Sequence, residues 1–193
     1  MDALLICGGE GTRLDSDAEK PLFPVGERPM IDRVADALAD SAVETTYAVT
    51  SPQAPETAAH ATEDLGLPAI ETAGDGYVAD LNAALADDAV DPPVLTVASD
   101  LPLLGGDAVD ATLRAYRAAR DSGDDGSMTV CVPAALKDLL GVSCDTEFDG
   151  LVPTGVNVVA GTEDSDTMYT TYDARLAVNV NRQRDAQIAE ALL

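Results

Sequence analysis

The sequence predicts an α/β domain built on a mostly parallel sheet with helices on both faces, and three observations carry that expectation. Apolar runs such as ALLIC at 3–7 and VLTVA at 94–98 are short and continuous, as strands buried on both faces are. Amphipathic stretches of helical period separate them, so strand and helix alternate through the first two-thirds of the chain. Glycine or proline punctuates most of the junctions.

Taken in order, 3–7 is the first strand and ends in glycines. Between Pro29 and Asp40, residues Met30, Ile31, Val34, Ala37 and Leu38 share one helical face, with proline near the first turn. A second strand at 45–50, a helix at 55–65 and a third strand at 67–72 follow. An amphipathic helix at 76–86 then carries Tyr77, Leu81 and Leu85. The strand at 94–98 is cut off by Ser99-Asp100-Leu101-Pro102, and a helix at 107–120 comes next. A strand at 128–132, an irregular stretch, an extended segment at 150–160, a short strand at 177–180 and a helix at 182–193 complete the reading. There is no internal repeat and no long linker, so residues 1–193 read as one domain.

With 193 residues the chain can bury about two-thirds of its unfolded surface and needs no disulfide or metal staple. Its charge is unusual. Eleven Lys+Arg against thirty-five Asp+Glu give a formal net charge of −24. Regular apolar segments argue against disorder. An acidic surface for a basic partner is one alternative. The favoured reading is the high-salt cytoplasm of a halophile, where repulsion is screened within about 3 Å at 1 M salt. Two lysines, Lys20 and Lys137, stand beside nine arginines, and no basic stripe exists to neutralise phosphates, which excludes nucleic acid as a partner. Cys7, Cys131 and Cys144 form no CxxC pair, so neither a disulfide framework nor a zinc site is expected. No apolar run approaches the ~20 residues of a membrane span and no basic leader precedes the first strand, so the expected location is cytoplasmic. The sequence leaves open whether the chain is a monomer or a homodimer. His60, in an Ala-rich helix, reads as a surface residue without a catalytic role.

The chemistry concentrates in Gly8-Gly9-Glu10-Gly11-Thr12-Arg13, directly after the first strand, and in Lys20-Pro21 beyond it. Glycines let backbone N–H groups approach a polyphosphate. Arg13 offers a planar cation for a departing pyrophosphate, and Lys20 a mobile point charge for the phosphorus under attack. The loop lacks GxxxxGK[ST], so it is no P-loop, and it lacks the GxGxxG spacing of a dinucleotide fold. Asp100 stands at the carboxyl end of a buried strand, where open α/β sheets place ligands and where one carboxylate can hold a hard divalent ion. The structural alternative is a helix cap. Base selection falls to the crevice walls, with Thr50, Ser51, Glu71, Gly76 and Asp80 as candidates; guanine, which presents donors, requires acceptors there.

LICGGEGTRL and EKPLFPVGERPMIDRV together resemble the opening signature of the GT-A-like nucleotidyltransferases, a family that includes sugar-phosphate nucleotidylyltransferases and molybdenum-cofactor guanylyltransferases. The resemblance implies a three-layer, Rossmann-like GT-A-type fold with one antiparallel strand. It implies that the loop from Gly8 to Arg13 wraps a triphosphate, that Arg13 and Lys20 contact phosphates, and that the backbone from Ile6 to Gly8 borders the base. It also implies Mg²⁺ on Asp100 with a second ligand from Asn181, Asn179 being the weaker candidate. Glu10 departs from the family pattern and is expected to point outward. TSPQAP, ETAGDGYVADLN, SDLPLL and EFDGLVPTGVNVV resemble more narrowly the archaeal GTP:adenosylcobinamide-phosphate guanylyltransferases of cobalamin synthesis. That narrower likeness implies GTP as donor and a phosphorylated corrinoid as acceptor. Residues 1–104 would bind the nucleotide and 105–193 the acceptor, with Gly150, Thr154, Gly155 and Asn157 lining the acceptor side. A molybdenum-cofactor or sugar-phosphate enzyme is the alternative within the class, and a nucleotide-binding regulatory module the alternative outside it.

Overall fold

The computed structural model describes residues 1–8, 14, 16, 18–161 and 166–193. At its centre β1 (Ala3–Ile6) pairs in parallel with β4 (Thr46–Thr50) on one side and β6 (Val94–Ala98) on the other. β5 (Ala69–Glu71) extends the sheet beyond β4, also in parallel. On the far side β8 (Leu151–Val159) runs antiparallel to both β6 and β7 (Met128–Pro133), and β9 (Thr167–Thr170) lies parallel to β7 at the edge. Among the described residues the sheet therefore has seven strands in the order β5-β4-β1-β6-β8-β7-β9, with β8 alone running against its neighbours. A separate two-stranded ribbon joins β2 (Pro24–Val25) to β3 (Arg28–Pro29).

The continuous apolar runs are explained by what lies on each face. Ala3, Leu5 and Cys7 enter a core shared with α1 (Met30–Ala39) and α4 (Gly106–Asp121). Leu4 and Ile6 enter a second core on the opposite face, packed against α3 (Tyr77–Leu85). Each strand residue is thus covered whichever way it points, at about 1.5–3 kcal/mol for a fully buried Leu, Ile or Val. A third cluster joins Leu14, Val25 and Met30 to Val178, Val180 and α6 (Gln183–Leu192). Among the described residues no helix is long and apolar enough to cross a membrane.

The structure corrects the sequence reading in three places. Residues 134–140, expected to be irregular, form α5 (Ala134–Leu140), which starts after Pro133 and stops at Gly141 with φ 74°. β9 went unrecognised because its TMYT run is half-exposed at a sheet edge and shows no apolar block. Residues 177–180, expected to be a strand, contribute no ladder: a 3-10 turn ends at Ala177 and the chain then crosses the carboxyl end of β6, tied by one bond from Val180 N–H to the Asp100 carbonyl at 2.9 Å. The V-N-V-N alternation there is real, but it separates valines in the α6 core from asparagines in the site described below.

His60 also proves to be engaged. α2 (Pro55–Ala59) continues as a π-helical turn over His60–Asp64, and the imidazole lies between Asp32 of α1 (Nε2–Oδ1 2.6 Å) and Asp64 (Nδ1–Oδ2 2.8 Å). Partial burial alone would lower its pKa, but hydrogen bonds and attraction from Asp32 and Asp64 outweigh that and raise it above the ordinary value. The folded protein therefore binds this proton more tightly than the unfolded chain. The resulting stabilisation is full below the unfolded pKa, near 6.5, and is lost as pH rises through the higher folded value. In paired thermal melts, His60→Leu should lower Tm more at pH 6 than at pH 9; an equal deficit at both would show that the imidazolium contributes nothing.

Candidate active site

β1, β4 and β6 end level with one another: Ile6 lies opposite Val49 on one side and Ala98 on the other. Two residues further along each strand stand Ser51, Gly8 and Asp100, side by side at the carboxyl edge. Ladder-like bonds hold this extension in place, Cys7 N–H to the Val49 carbonyl at 3.0 Å and Ser99 N–H to the Ile6 carbonyl at 3.3 Å. Neighbouring strands are about 4.8 Å apart, so a single extended ligand can reach all three positions. The sheet, not any local motif, brings them together.

On the β4 side of Gly8 opens a cleft of about 460 Å³, lined by Gly8, Ser51, Gly74, Gly76, Tyr77 and Asp80 among others. Gly76, at φ 108°, is the residue that turns the chain into α3. Asp80 follows in the first turn of that helix and is 7% exposed. Its Oδ1 accepts the Gly74 N–H at 2.9 Å, and its Oδ2 stands 3.7 Å from where a Cβ on Gly8 would be. Thr50, Ser51 and Glu71 also border a neighbouring cavity of about 320 Å³. Ile6 is buried beneath, at the end of β1. Gly9, Glu10, Gly11, Thr12 and Arg13 lie outside the described residues.

On the β6 side Asp100 is 8% exposed and fully engaged. Its Oδ2 accepts from Lys20 Nζ at 2.6 Å, and its Oδ1 from Asn179 Nδ2 at 3.0 Å. Lys20 Nζ also donates to Asn181 Oδ1 at 2.8 Å. The lysine is brought here by the turn after Glu19, whose carboxylate accepts the Glu56 and Thr57 N–H groups at the start of α2. Asn181 is held by Asp185, which is 1% exposed and accepts the N–H groups of Asn181, Arg182 and Ser143 as well as the Ser143 hydroxyl.

The donors around Lys20 suit a hard divalent ion. They are all oxygens, and the lysine ammonium already occupies a cation position between Asp100 Oδ2 and Asn181 Oδ1. Among the described residues no group of three or more His, Cys, Asp or Glu exists to form an all-protein cage. A site with so few protein ligands fits an ion that keeps waters and shares nucleotide oxygens, as Mg²⁺ does.

The acceptor-side expectations divide. Gly155, at φ 84°, gives close approach, but to β6: a Cβ there would lie 3.0 Å from Ala98 Cβ, with Asn179 Nδ2 at an ordinary contact distance of 3.6 Å. Asn157, half-buried on the same face of β8, donates to the Thr96 hydroxyl at 3.4 Å. Gly150 occupies an open turn at φ 80°. The expectation for Thr154 is corrected. Its side chain is fully buried, donates to the Val130 carbonyl at 3.0 Å and accepts the Val156 N–H, so it offers no hydrogen bond to a ligand. One participant was underrated and another escaped the motif reading. Asn179 is a hub rather than a minor candidate, and Lys137, 2% exposed on α5, donates to its Oδ1 at 3.1 Å. Burial pushes the Lys137 pKa down, while Cys144, Asp100, Asp185 and Asp145 pull it back up. Burial pushes the Cys7 thiol up to about 12, so it is no nucleophile.

Residues 3–147 match the MobA-like NTP transferase domain. The chain belongs to that family. Over 198 aligned residues this nucleotidyltransferase is 31% identical to the adenosylcobinamide-phosphate guanylyltransferase of Methanocaldococcus jannaschii, covering 100% of the present chain and 97% of that protein. A 134-residue match at 34% identity links 67% of the chain to 28% of the bifunctional protein GlmU of Thiobacillus denitrificans. The fold recurs in a glucose-1-phosphate thymidylyltransferase of Bacillus anthracis, with TM-score 0.71 and 13% identity over 100% of this chain and 94% of that one. A CMP:2-keto-3-deoxy-manno-octonic acid synthetase has TM-score 0.66 and 15% identity, over 100% of this chain and 98% of that one. Both the Rossmann-like, mostly parallel architecture and the reaction class follow.

Removing the Asp185 carboxylate orphans several donors at once. Asp185→Ala should cost about 3 kcal/mol in chemical denaturation and loosen Asn181 with it; a loss below about 0.5 kcal/mol would show the cluster to be dispensable.

Proposed function

We propose that this chain transfers GMP from GTP to adenosylcobinamide phosphate, giving adenosylcobinamide-GDP and pyrophosphate in cobalamin biosynthesis. The observation that carries the choice of acceptor is the end-to-end likeness to the Methanocaldococcus jannaschii enzyme, which extends through β8 and the Asn179–Asn181 segment instead of stopping at the nucleotide half. Residues 1–104 bind the nucleotide and 105–193 the acceptor, and the −24 charge suits a cytoplasm rich in salt.

The guanine lies in the cleft beside Gly8. Asp80 accepts its N1–H and 2-amino group, a pairing adenine cannot offer. Gly8 and the loop after it, Arg13 included, bring N–H groups and a guanidinium to the β- and γ-phosphates. Lys20 leaves Asp100 to meet the α-phosphate oxygens, which carry the charge that grows in the transition state. Asp100 and Asn181 would hold Mg²⁺, which would supply positive charge to offset the negative charge of the phosphate oxygens. A phosphate oxygen of the acceptor attacks the α-phosphorus, the bond to the bridging oxygen breaks in line, and pyrophosphate departs with that electron pair. No general base is required, because the attacking phosphate is already ionised near neutral pH. Positioning and electrostatics supply the rate. Gly155 and Asn157 face the acceptor, and Gly150 borders its entrance.

Incubation with GTP, Mg²⁺ and cobinamide phosphate at high salt should release pyrophosphate and form a GDP-linked corrinoid; turnover on molybdopterin or a sugar 1-phosphate instead would reassign the acceptor. Asp100→Ala should lower kcat at least about a hundredfold while keeping the wild-type circular dichroism spectrum. Asp80→Asn should cut the preference for GTP over ATP by about a hundredfold in kcat/KM; an unchanged ratio would move base selection elsewhere.

A further inference from the structure

Both lysines of the chain stand on one hydrogen-bonded line through Asp100: Lys20 from the crevice, and Lys137 from beneath by way of Asn179. The inner half of that line has a single consistent orientation. An ammonium only donates and a peptide carbonyl only accepts. Lys137 Nζ lies 3.1 Å from Asn179 Oδ1, and the Thr154 carbonyl lies 2.8 Å from Asn179 Nδ2. The amide oxygen must therefore face Lys137, and the nitrogen must face Asp100 Oδ1 at 3.0 Å. With the amide reversed, its oxygen would meet both a carbonyl and a carboxylate while its NH₂ met an ammonium.

Packing alone does not call for a lysine at this position. An ammonium 2% exposed is costly to bury, and an apolar side chain of similar length would fill the volume at lower cost. What the ammonium adds is an obligatory donor for Asn179 Oδ1.

We propose that Lys137 is a positioning residue for transfer: it locks the Asn179 amide so that Asp100 is held from behind through Oδ1 and presents Oδ2 to the crevice. This rests on the reading that Asp100 Oδ2 serves a divalent ion there. Groups that orient a metal ligand are worth about tenfold to a hundredfold in metal affinity.

The test compares wild type with Lys137→Met, Lys137→Gln, Asn179→Leu and the Lys137→Met/Asn179→Leu double variant. Mn²⁺ affinity is read by electron paramagnetic resonance in the presence of GTP, alongside kcat, KM for GTP and Tm. Lys137→Met should melt cooperatively, bind Mn²⁺ about tenfold more weakly and lose kcat with little change in KM. Lys137→Gln, which keeps a donor, should recover most of both losses. The double variant should be no worse than Asn179→Leu. Mn²⁺ binding and kcat within twofold of wild type in Lys137→Met, equal losses in the Gln and Met variants, or additive losses in the double variant would each overturn the proposal.

Should Lys137→Met fail to melt cooperatively, Asn179→Leu decides: a tenfold loss of Mn²⁺ affinity with a wild-type melt supports the linkage, and unchanged affinity overturns it. If wild type shows no Mn²⁺ binding that Asp100→Asn removes, it is the reading of Asp100 that fails. The orientation of Asn179 is then decided by NMR of its side-chain amide. Asn179 amide protons shifted from their free-chain positions and protected from solvent exchange in wild type and Lys137→Gln, with both features lost in Lys137→Met, support the lock; no change in Lys137→Met overturns it.

Discussion

A carboxylate 8% exposed at the end of a central strand has to be neutralised, and this chain carries thirty-five acidic residues against eleven lysines and arginines with which to do it. Asp100 meets the requirement with a lysine at 2.6 Å on one oxygen and an amide N–H at 3.0 Å on the other. Left unpaired, a carboxylate at that depth would be costly to bury. The paired arrangement satisfies both oxygens and keeps them aimed. It also leaves one partner, Lys20, on a long side chain that reaches Asp100 from the crevice.

The rest of the fold serves that constraint. Parallel pairing in register along Val49, Ile6 and Ala98 brings three chain turns to one edge. β8, running against its neighbours, delivers the Thr154 carbonyl to Asn179 and packs the small Gly155 against Ala98 of β6. α6 and Asp185 fix Asn181, and the Glu19 carboxylate, by capping α2, fixes the turn that starts with Lys20. Each contact orders groups that would otherwise be lost to conformational entropy, and each is made by residues distant in sequence.

The acidic surface and the anionic substrate stand in opposition. At low ionic strength a net charge of −24 repels a triphosphate at long range, so the few cations must sit where they act at short range. Several described arginines are held in surface pairs, Arg28 with Asp36, Arg175 with Asp107 and Asp173, and Arg182 with Asp145. Such exposed pairs contribute little each. The lysines, whose compact ammonium donates in several directions, are both placed in the site. Salt that screens beyond about 3 Å would remove the long-range penalty and leave these contacts in force.

How much the sequence determined follows from which signals are local. Continuous apolar runs, bounded by glycine at β1 and by proline and Ser99-Asp100 at β6, identified those strands, and helical periodicity identified α1, α3 and α4, because those patterns are set by burial on one face or both. Lys20 and Asp100 were singled out because a cation beyond a glycine loop and a carboxylate at a strand end are themselves a chemical signal, and the fold brings the two within hydrogen-bond reach; Ser51 and Asp80 were only candidates among the crevice walls. Tertiary structure decided the remainder. Only the assembled sheet shows that Asn179 braces Asp100, that Thr154 faces inward to Val130, and that Lys137 reaches the same network. β9, α5 and the 177–180 crossing were misread for a related reason: an edge strand, a short helix and an alternating V-N-V-N run take their conformation from partners far away in the chain. A hydrogen bond between residues 42 or 79 positions apart leaves no periodicity to read.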